Sequence, residues 1–168
     1  MNKAIFLDRD GTINVDYGYV FEKEKLHFID GVIKALKAFR SMGYKLIIIT
    51  NQSGIARGYY TEEQMNEFNN YMCNILKKNG VIIDKIYYCP HCEDNCNCRK
   101  PKTELFYKAK QDFDIDFSKS FAIGDKERDL SICKKEAIKG ILFGESNNSN
   151  YQCFKNYDDI VKYIEENI

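Results

Sequence analysis

Ile5-Phe6-Leu7-Asp8-Arg9-Asp10-Gly11-Thr12 is a short apolar run that stops at two acids one residue apart, followed by glycine and threonine. An apolar run ending in acids is the pattern of a buried parallel strand that delivers carboxylates to its carboxyl edge. In an open parallel α/β sheet, ligands bind in the crevice beyond that edge, so Asp8 and Asp10 stand where chemistry is usually done. Asp-Gly is also an ordinary turn signal, and on this stretch alone a turn and a site are equally good readings. The rest of the chain separates them.

Downstream, the same grammar repeats. A polar and aromatic loop over 14–25 leads to a helical pattern over 31–42, with Val32, Ile33, Leu36 and Phe39 on one face and Gly43 as its stop. Residues 45–50 form a second apolar run, which ends at Thr50 and opens into Asn51, Gln52 and Ser53. Thr61-Glu62-Glu63-Gln64 has capping-box spacing, and Met65, Phe68, Met72, Ile75 and Leu76 continue a helical stripe up to Gly80. A third strand is predicted over 82–88, a helix over 103–112, a fourth strand over 120–123 and a fifth over 141–143. The segment 144–156 reads as a polar connector and 157–166 as a closing helix. Strands alternating with helices predict one α/β domain over 1–168, a doubly wound parallel sheet with helices on both faces. The intervals between motifs leave no room for a cap domain.

Composition narrows the partners. The 25 basic and 25 acidic residues cancel, which disfavours broad electrostatic binding to nucleic acid or an anionic membrane and favours a small molecule. No apolar run approaches the ~20 residues of a membrane span, and the N-terminus lacks the apolar core of a signal peptide, so a cytoplasmic protein is expected. Seven cysteines are an odd number, and in a reducing compartment clustered cysteines are metal ligands more often than disulfides.

Four strand-end loops would therefore bring Asp8 and Asp10, Thr50 and Asn51, Arg99 and Lys100, and Asp125 with Lys126 to one edge. That is an inventory for phosphoryl transfer. A carboxylate attacks phosphorus, and Mg²⁺ on hard oxygen ligands offsets the repulsion between anions. Cations and a hydroxyl stabilise the equatorial oxygens, while a second acid serves the leaving alkoxide and then water.

In order, Asp8-Arg9-Asp10-Gly11-Thr12, Thr50, Lys100 and Gly124-Asp125-x-x-x-Asp129 resemble the four motifs of the haloacid dehalogenase superfamily phosphatases. Residues 13–19, 50–58 and 96–101 further resemble the heptose bisphosphate phosphatases within it. The resemblance implies Asp8 as nucleophile, Asp10 as general acid and base, and Thr50 and Lys100 as holders of the transferring phosphoryl group. It places Mg²⁺ between the Asp8 carboxylate, the Asp10 main-chain carbonyl and Asp125. Asp16, Tyr17, Gly18, Tyr19, Asn51, Gln52, Ser53, Arg99 and Lys126 would contact the sugar bisphosphate. Asp129 stays open between a supporting acid and a helix cap. The implied reaction removes the 7-phosphate of a heptose bisphosphate on the route to ADP- or GDP-heptose for surface polysaccharide, in a monomeric enzyme. Histidinol-phosphate phosphatase, a nucleic-acid 3′-phosphatase and a non-enzymatic phospho-acceptor of the receiver type are the competitors, and the acid at Asp10 argues against the last.

Cys89-x-His91-x4-Cys96-x-Cys98 offers three thiolates and an imidazole, the closed tetrahedral set of a structural Zn²⁺. Its expected task is to order the loop 89–98 and so fix Arg99 and Lys100. Cys92 is a fifth candidate and could replace His91.

Overall fold

In the computed structural model, residues 1–93 and 95–168 are described; Asp94, inside the expected zinc loop, lies outside them. The elements run β1 (Ala4–Leu7), α1 (Val32–Ser41), β2 (Lys45–Asn51), α2 (Glu62–Lys78), β3 (Lys85–Cys89), α3 (Glu104–Phe113), β4 (Phe121–Gly124), β5 (Lys139–Phe143), β6 (Gln152–Phe154) and α4 (Tyr157–Glu166). All the strands are parallel, in the order β3-β2-β1-β4-β5-β6. The connections reverse direction between β1 and β4, and right-handed crossovers on the two sides of that reversal put helices on opposite faces.

Alternation along β1 shows the two layers. Ile5 and Leu7 join a core with α1, α2 and α4, whereas Ala4 and Phe6 face α3 and the short helical turns on the other side. Phe6 packs its ring 5.3 Å from Phe106 and 5.9 Å from Phe117. Removing so large a buried side chain costs about 3–5 kcal/mol, so β1 is anchored from both faces and its end is a fixed platform. At the start of α2, Thr61 accepts from Gln64 N while the Gln64 side chain accepts from Thr61 N, the expected capping box.

Three boundaries differ from the sequence reading. β3 begins at Lys85 rather than residue 82: Ile82 is half exposed, and the Asp84 carboxylate is spent on Leu46 N and the Arg40 guanidinium. A sixth strand, Gln152–Phe154, lies in the expected polar connector and pairs with β5 through Leu142 and Cys153. The segment after β4 winds as a 3-10 helix, Glu127–Lys134, that begins before Asp129, and Asp129 caps it from within its first turn by accepting from the N-cap Lys126 N. Among the described residues, no helix is long and apolar enough to cross a membrane. The stretches between β1 and α1 and between β2 and α2 hold only loops and short turns, and among the described residues no cap domain covers the carboxyl edge of the sheet.

Candidate active site

β1 ends at the reversal point, where Asp8 N donates to Ile123 O at 3.1 Å and the carboxylate emerges between β1 and β4. Opposite it stands Lys100, buried to 2% exposure. Its ammonium donates to Asp8 Oδ1 at 2.9 Å, Asp129 Oδ1 at 2.7 Å and Ile49 O at 2.6 Å, so all its protons are used. Asn51 fixes the backbone of this lysine by a reciprocal pair, accepting from Lys100 N and donating to Lys100 O. Burial alone would strip the proton from Lys100, but the Asp8 and Asp129 carboxylates outweigh it and hold its pKa above the usual lysine range. Burial pushes Asp8 up to about 7, with Lys100 opposing the rise and the Asp129 charge adding to it. The remaining Asp129 oxygen accepts from Lys126 N at 3.1 Å, so Asp129 supports two lysines at once.

Asp8, Asp125 and Asp129 each bring an oxygen within 4.8 Å of the others. Burial raises Asp125, the Asp129 charge adds to this, and Asp125 Oδ1 is a buried acceptor without a hydrogen-bond partner among the described residues. Gly11, at φ +84°, makes this approach possible, because a Cβ there would lie 2.3 Å from Asp125 Oδ2. Clustered hard oxygens with an orphaned acceptor fit a divalent cation such as Mg²⁺. The expected ligand set named Asp8, Asp10 through its carbonyl, and Asp125; the structure adds Asp129 to the carboxylate group, although Lys100 and Lys126 already occupy its oxygens.

Asp10 is held separately. Arg9 grips it with Nε at 3.1 Å and Nη2 at 3.0 Å, Asn14 donates at 2.9 Å and Gln52 at 3.2 Å. Arg9 itself is fully buried. It donates to Asn69 Oδ1 and Val20 O, and its guanidinium lies 4.6 Å from the Phe68 ring centre. Sequence reasoning passed over Arg9; the available signal was a cation enclosed between two acids at the end of a buried strand.

The acids open into a cleft with a cavity of about 330 Å³. The expected Asp16, Gly18, Tyr19, Asn51, Gln52, Ser53, Arg99 and Lys126 all line it, as do Thr50 and Lys100. Arg57, Tyr60 and Arg128 line it as well, and Tyr60 and Arg128 had carried no signal in the sequence. Tyr17 is not among them: its hydroxyl hydrogen-bonds His27 Nδ1 at 2.8 Å and the ring is half exposed. Tyr19 instead meets Tyr59, with ring centres 4.8 Å apart, and joins two loops at the rim.

Beside the cleft, Cys89, His91, Cys96 and Cys98 converge to within 4.8 Å of one another, and Cys92 is outside the group. Cys89 Sγ lies 3.3 Å from His91 Nδ1, 3.6 Å from Cys96 Sγ and 2.9 Å from Cys98 Sγ, and His91 Nδ1 lies 3.3 Å from Cys98 Sγ. Tetrahedral Zn²⁺ with Zn–S of ~2.3 Å sets donors ~3.5–3.8 Å apart; three thiols and an imidazole are the donor types it takes, the Cys89–Cys96 spacing meets that range, and the Cys89–Cys98 pair would open on binding it. Against burial, which pushes the other way, the backbone amides of Arg99 and Cys98 bring the Cys96 thiol down to about 6. Burial pushes the Cys89 and Cys98 thiols the other way, above the usual thiol range.

Residues 3–158 match the family described as polynucleotide kinase 3 phosphatase. Among curated relatives, the D-glycero-beta-D-manno-heptose-1,7-bisphosphate 7-phosphatase of Pasteurella multocida is 48% identical over 150 residues, covering 84% of this chain and 81% of its own. The protein of the same description from Helicobacter pylori strain J99 is 44% identical and covers 97% of both chains. A crystal structure of D,D-heptose 1,7-bisphosphate phosphatase from B. bronchiseptica, complexed with magnesium and phosphate, superposes with a TM-score of 0.87 over 99% of both chains. At 24% identity, that likeness is one of fold.

Proposed function

The chain belongs to the haloacid dehalogenase superfamily and, within it, to the heptose bisphosphate phosphatases, and from that membership we propose how its own residues carry out the hydrolysis. The substrate is D-glycero-D-manno-heptose 1,7-bisphosphate, and the bond broken is that between the phosphorus and the oxygen on C7. Asp8 attacks the phosphorus and forms an aspartyl phosphate, while Asp10 gives its proton to the departing alkoxide. Asp10, now a carboxylate, takes a proton from water as the water attacks the same phosphorus, which frees inorganic phosphate and regenerates Asp8. Thr50 and Lys100 hold the phosphoryl oxygens, and Asp129 keeps Lys100 charged and aimed. Asp8, Asp125 and the Asp10 carbonyl would hold Mg²⁺, which would supply positive charge against the repulsion between a carboxylate nucleophile and an anionic phosphate. Asp16, Gly18, Tyr19, Asn51, Ser53, Arg99 and Lys126 face the sugar and its second phosphate, and Cys89, His91, Cys96 and Cys98 would hold a Zn²⁺ that would fix the loop leading into Arg99 and Lys100. The enzyme would act as a cytoplasmic monomer in nucleotide-activated heptose synthesis.

The observation that carries this reading is the pairing of Asp8 with Lys100 at the floor of a cleft that Arg57, Arg99, Lys126 and Arg128 line with positive charge. Such a cleft suits a small substrate with two phosphates, and the zero net charge of the chain disfavours a polyanion. Phosphate release should be measured side by side on both heptose bisphosphate anomers, histidinol phosphate and a 3′-phosphorylated oligonucleotide, with and without chelator. A preference for histidinol phosphate or the oligonucleotide would replace the substrate assignment. A single stoichiometric phosphorylation without turnover would replace the enzyme with a receiver.

A further inference from the structure

Gln52 was expected to touch the substrate, yet its side chain is already engaged. The residue is only 2% exposed, and its amide nitrogen donates to Asp10 Oδ2 at 3.2 Å and to Thr50 Oγ1 at 2.9 Å. Both amide protons are therefore spent inside the protein. Its carbonyl oxygen accepts from the Tyr60 hydroxyl at 2.5 Å and more weakly from Arg9 Nη2 at 3.4 Å. A flipped amide would turn the Gln52 oxygen against the Asp10 carboxylate and its NH₂ against a guanidinium, so these partners fix one orientation.

Tyr60 is built into place for this contact. A Cβ on residue 54 would lie 2.2 Å from the Tyr60 ring, so glycine at this position gives the ring its room, and Phe21 stacks on the ring at 5.0 Å. Burial pushes the phenol up to about 12, which keeps it a proton donor at neutral pH.

We infer that Gln52 is a positioning residue that ties the general acid Asp10 to the phosphoryl-holding Thr50, and that the Tyr60 hydroxyl sets its orientation. The inference rests on the role of Asp10 proposed above. It changes what Gln52 does: the side chain aims a proton and leaves sugar recognition to its neighbours. The consequence is specific to leaving groups. An alkoxide needs a proton as the P–O bond breaks, whereas p-nitrophenolate leaves well without one, so a misaimed Asp10 slows only the former. The ratio kcat/KM reports steps up to the first irreversible one, here formation of the aspartyl phosphate.

The test compares kcat/KM on propyl phosphate, p-nitrophenyl phosphate and heptose bisphosphate for wild type, Gln52→Leu, Tyr60→Phe and Asp10→Asn. Gln52→Leu should lose about thirtyfold on propyl phosphate and less than about threefold on p-nitrophenyl phosphate, with Tyr60→Phe following the same pattern at about fivefold. Equal losses on alkyl and aryl phosphates would overturn the inference in favour of general damage. A loss confined to heptose bisphosphate would overturn it in favour of direct sugar contact. Tyr60→Phe keeps the ring and decides the matter if Gln52→Leu does not fold; wild-type behaviour of Tyr60→Phe on propyl phosphate overturns the role of its hydroxyl. Asp10→Asn separates the two levels: if it spares propyl phosphate, the acid assignment falls and takes the inference with it, and if it is inactive there while both other variants are unaffected, the inference falls alone.

Discussion

Lys100 Nζ lies 2.7 Å from Asp129 Oδ1, and both side chains are almost wholly buried, at 2% and 3% exposure. Asp8 and Asp129 together offset the burial of the ammonium, Asp8 the more strongly, and Asp129 adds a second buried carboxylate that holds the lysine against the nucleophile. Asp129→Ala should destabilise the protein by about 3 kcal/mol, read from urea denaturation, because removing one partner strands the other. Turnover should fall about a hundredfold as Lys100 loses its aim. A variant within about 1 kcal/mol of wild type would show that solvent or Asp8 compensates, and would return Asp129 to a local role in its own turn.

Asp8→Asn should retain the fold and lose at least about a thousandfold in turnover, since an amide is a poor nucleophile and a weaker cation ligand. It should also report on the metal. Burial raises Asp8 from its ordinary value to about 7. Between those pH values the folded chain keeps a proton that the unfolded chain has released, so metal-free stability falls as pH rises through this window. Asp125 is shifted in the same direction. Cation binding needs the ionised acids, so the gain in Tm on adding millimolar Mg²⁺ should be larger at pH 8 than at pH 6, and Asp8→Asn should remove most of it. An equal gain at the two pH values would count against Asp8 as a ligand.

The sheet, its two helical layers and the convergence of four loops were legible because buried strands are apolar runs that end abruptly in polar residues, as at Leu7-Asp8 and Thr50-Asn51. β6 was not legible: Gln152-Cys153-Phe154 is short, and its pairing depends on where β5 lies, not on local pattern. The start of β3 was misplaced because Ile82 and Ile83 look like strand, while only the fold reveals that Ile82 is half exposed and that the Asp84 carboxylate accepts from Leu46 N. In the site, the acids and Lys100 could be read from their motifs. Arg9 carried only its place between two acids, and its full role, like the double duty of Asp129, comes from partners distant in sequence such as Asn69 and Lys100; Tyr60 showed nothing until the loop folded its hydroxyl onto Gln52.

The cysteine loop makes a metal prediction that the geometry sharpens. Metal analysis should find about one zinc per chain, and Cys96→Ser, Cys98→Ser and His91→Ala should each lose it. Cys92→Ala should keep it, since Cys92 stands outside the converging group. Loss of zinc should also lower activity about tenfold or more while Asp8 is intact, because Arg99 and Lys100 follow the loop directly. Zinc retained in every single variant would dismiss the site, and zinc lost in Cys92→Ala but kept in His91→Ala would exchange Cys92 for His91.

Bisphosphate selectivity sets Arg99 against the other cations of the cleft. Arg99 donates weakly to His91 O at 3.4 Å and lines the cavity between the cysteine loop and Lys100. Its guanidinium is therefore placed by the same loop that places the lysine at the reacting phosphate, which gives it a defined distance from the nucleophile. Lys126 is tied to Asp125 at 3.7 Å, and a lysine offers only a point charge, whereas a guanidinium meets two phosphate oxygens at once. Arg99→Lys should lower kcat/KM on heptose bisphosphate about thirtyfold but on a sugar monophosphate only about threefold, because the lost fork falls on the phosphate that stays. Arg57→Lys and Arg128→Lys, measured in the same way, show whether either cation shares the task. Equal losses on the two substrates would move Arg99 from recognition of the second phosphate to support of Lys100, and a wild type indifferent to the second phosphate would withdraw the bisphosphate itself.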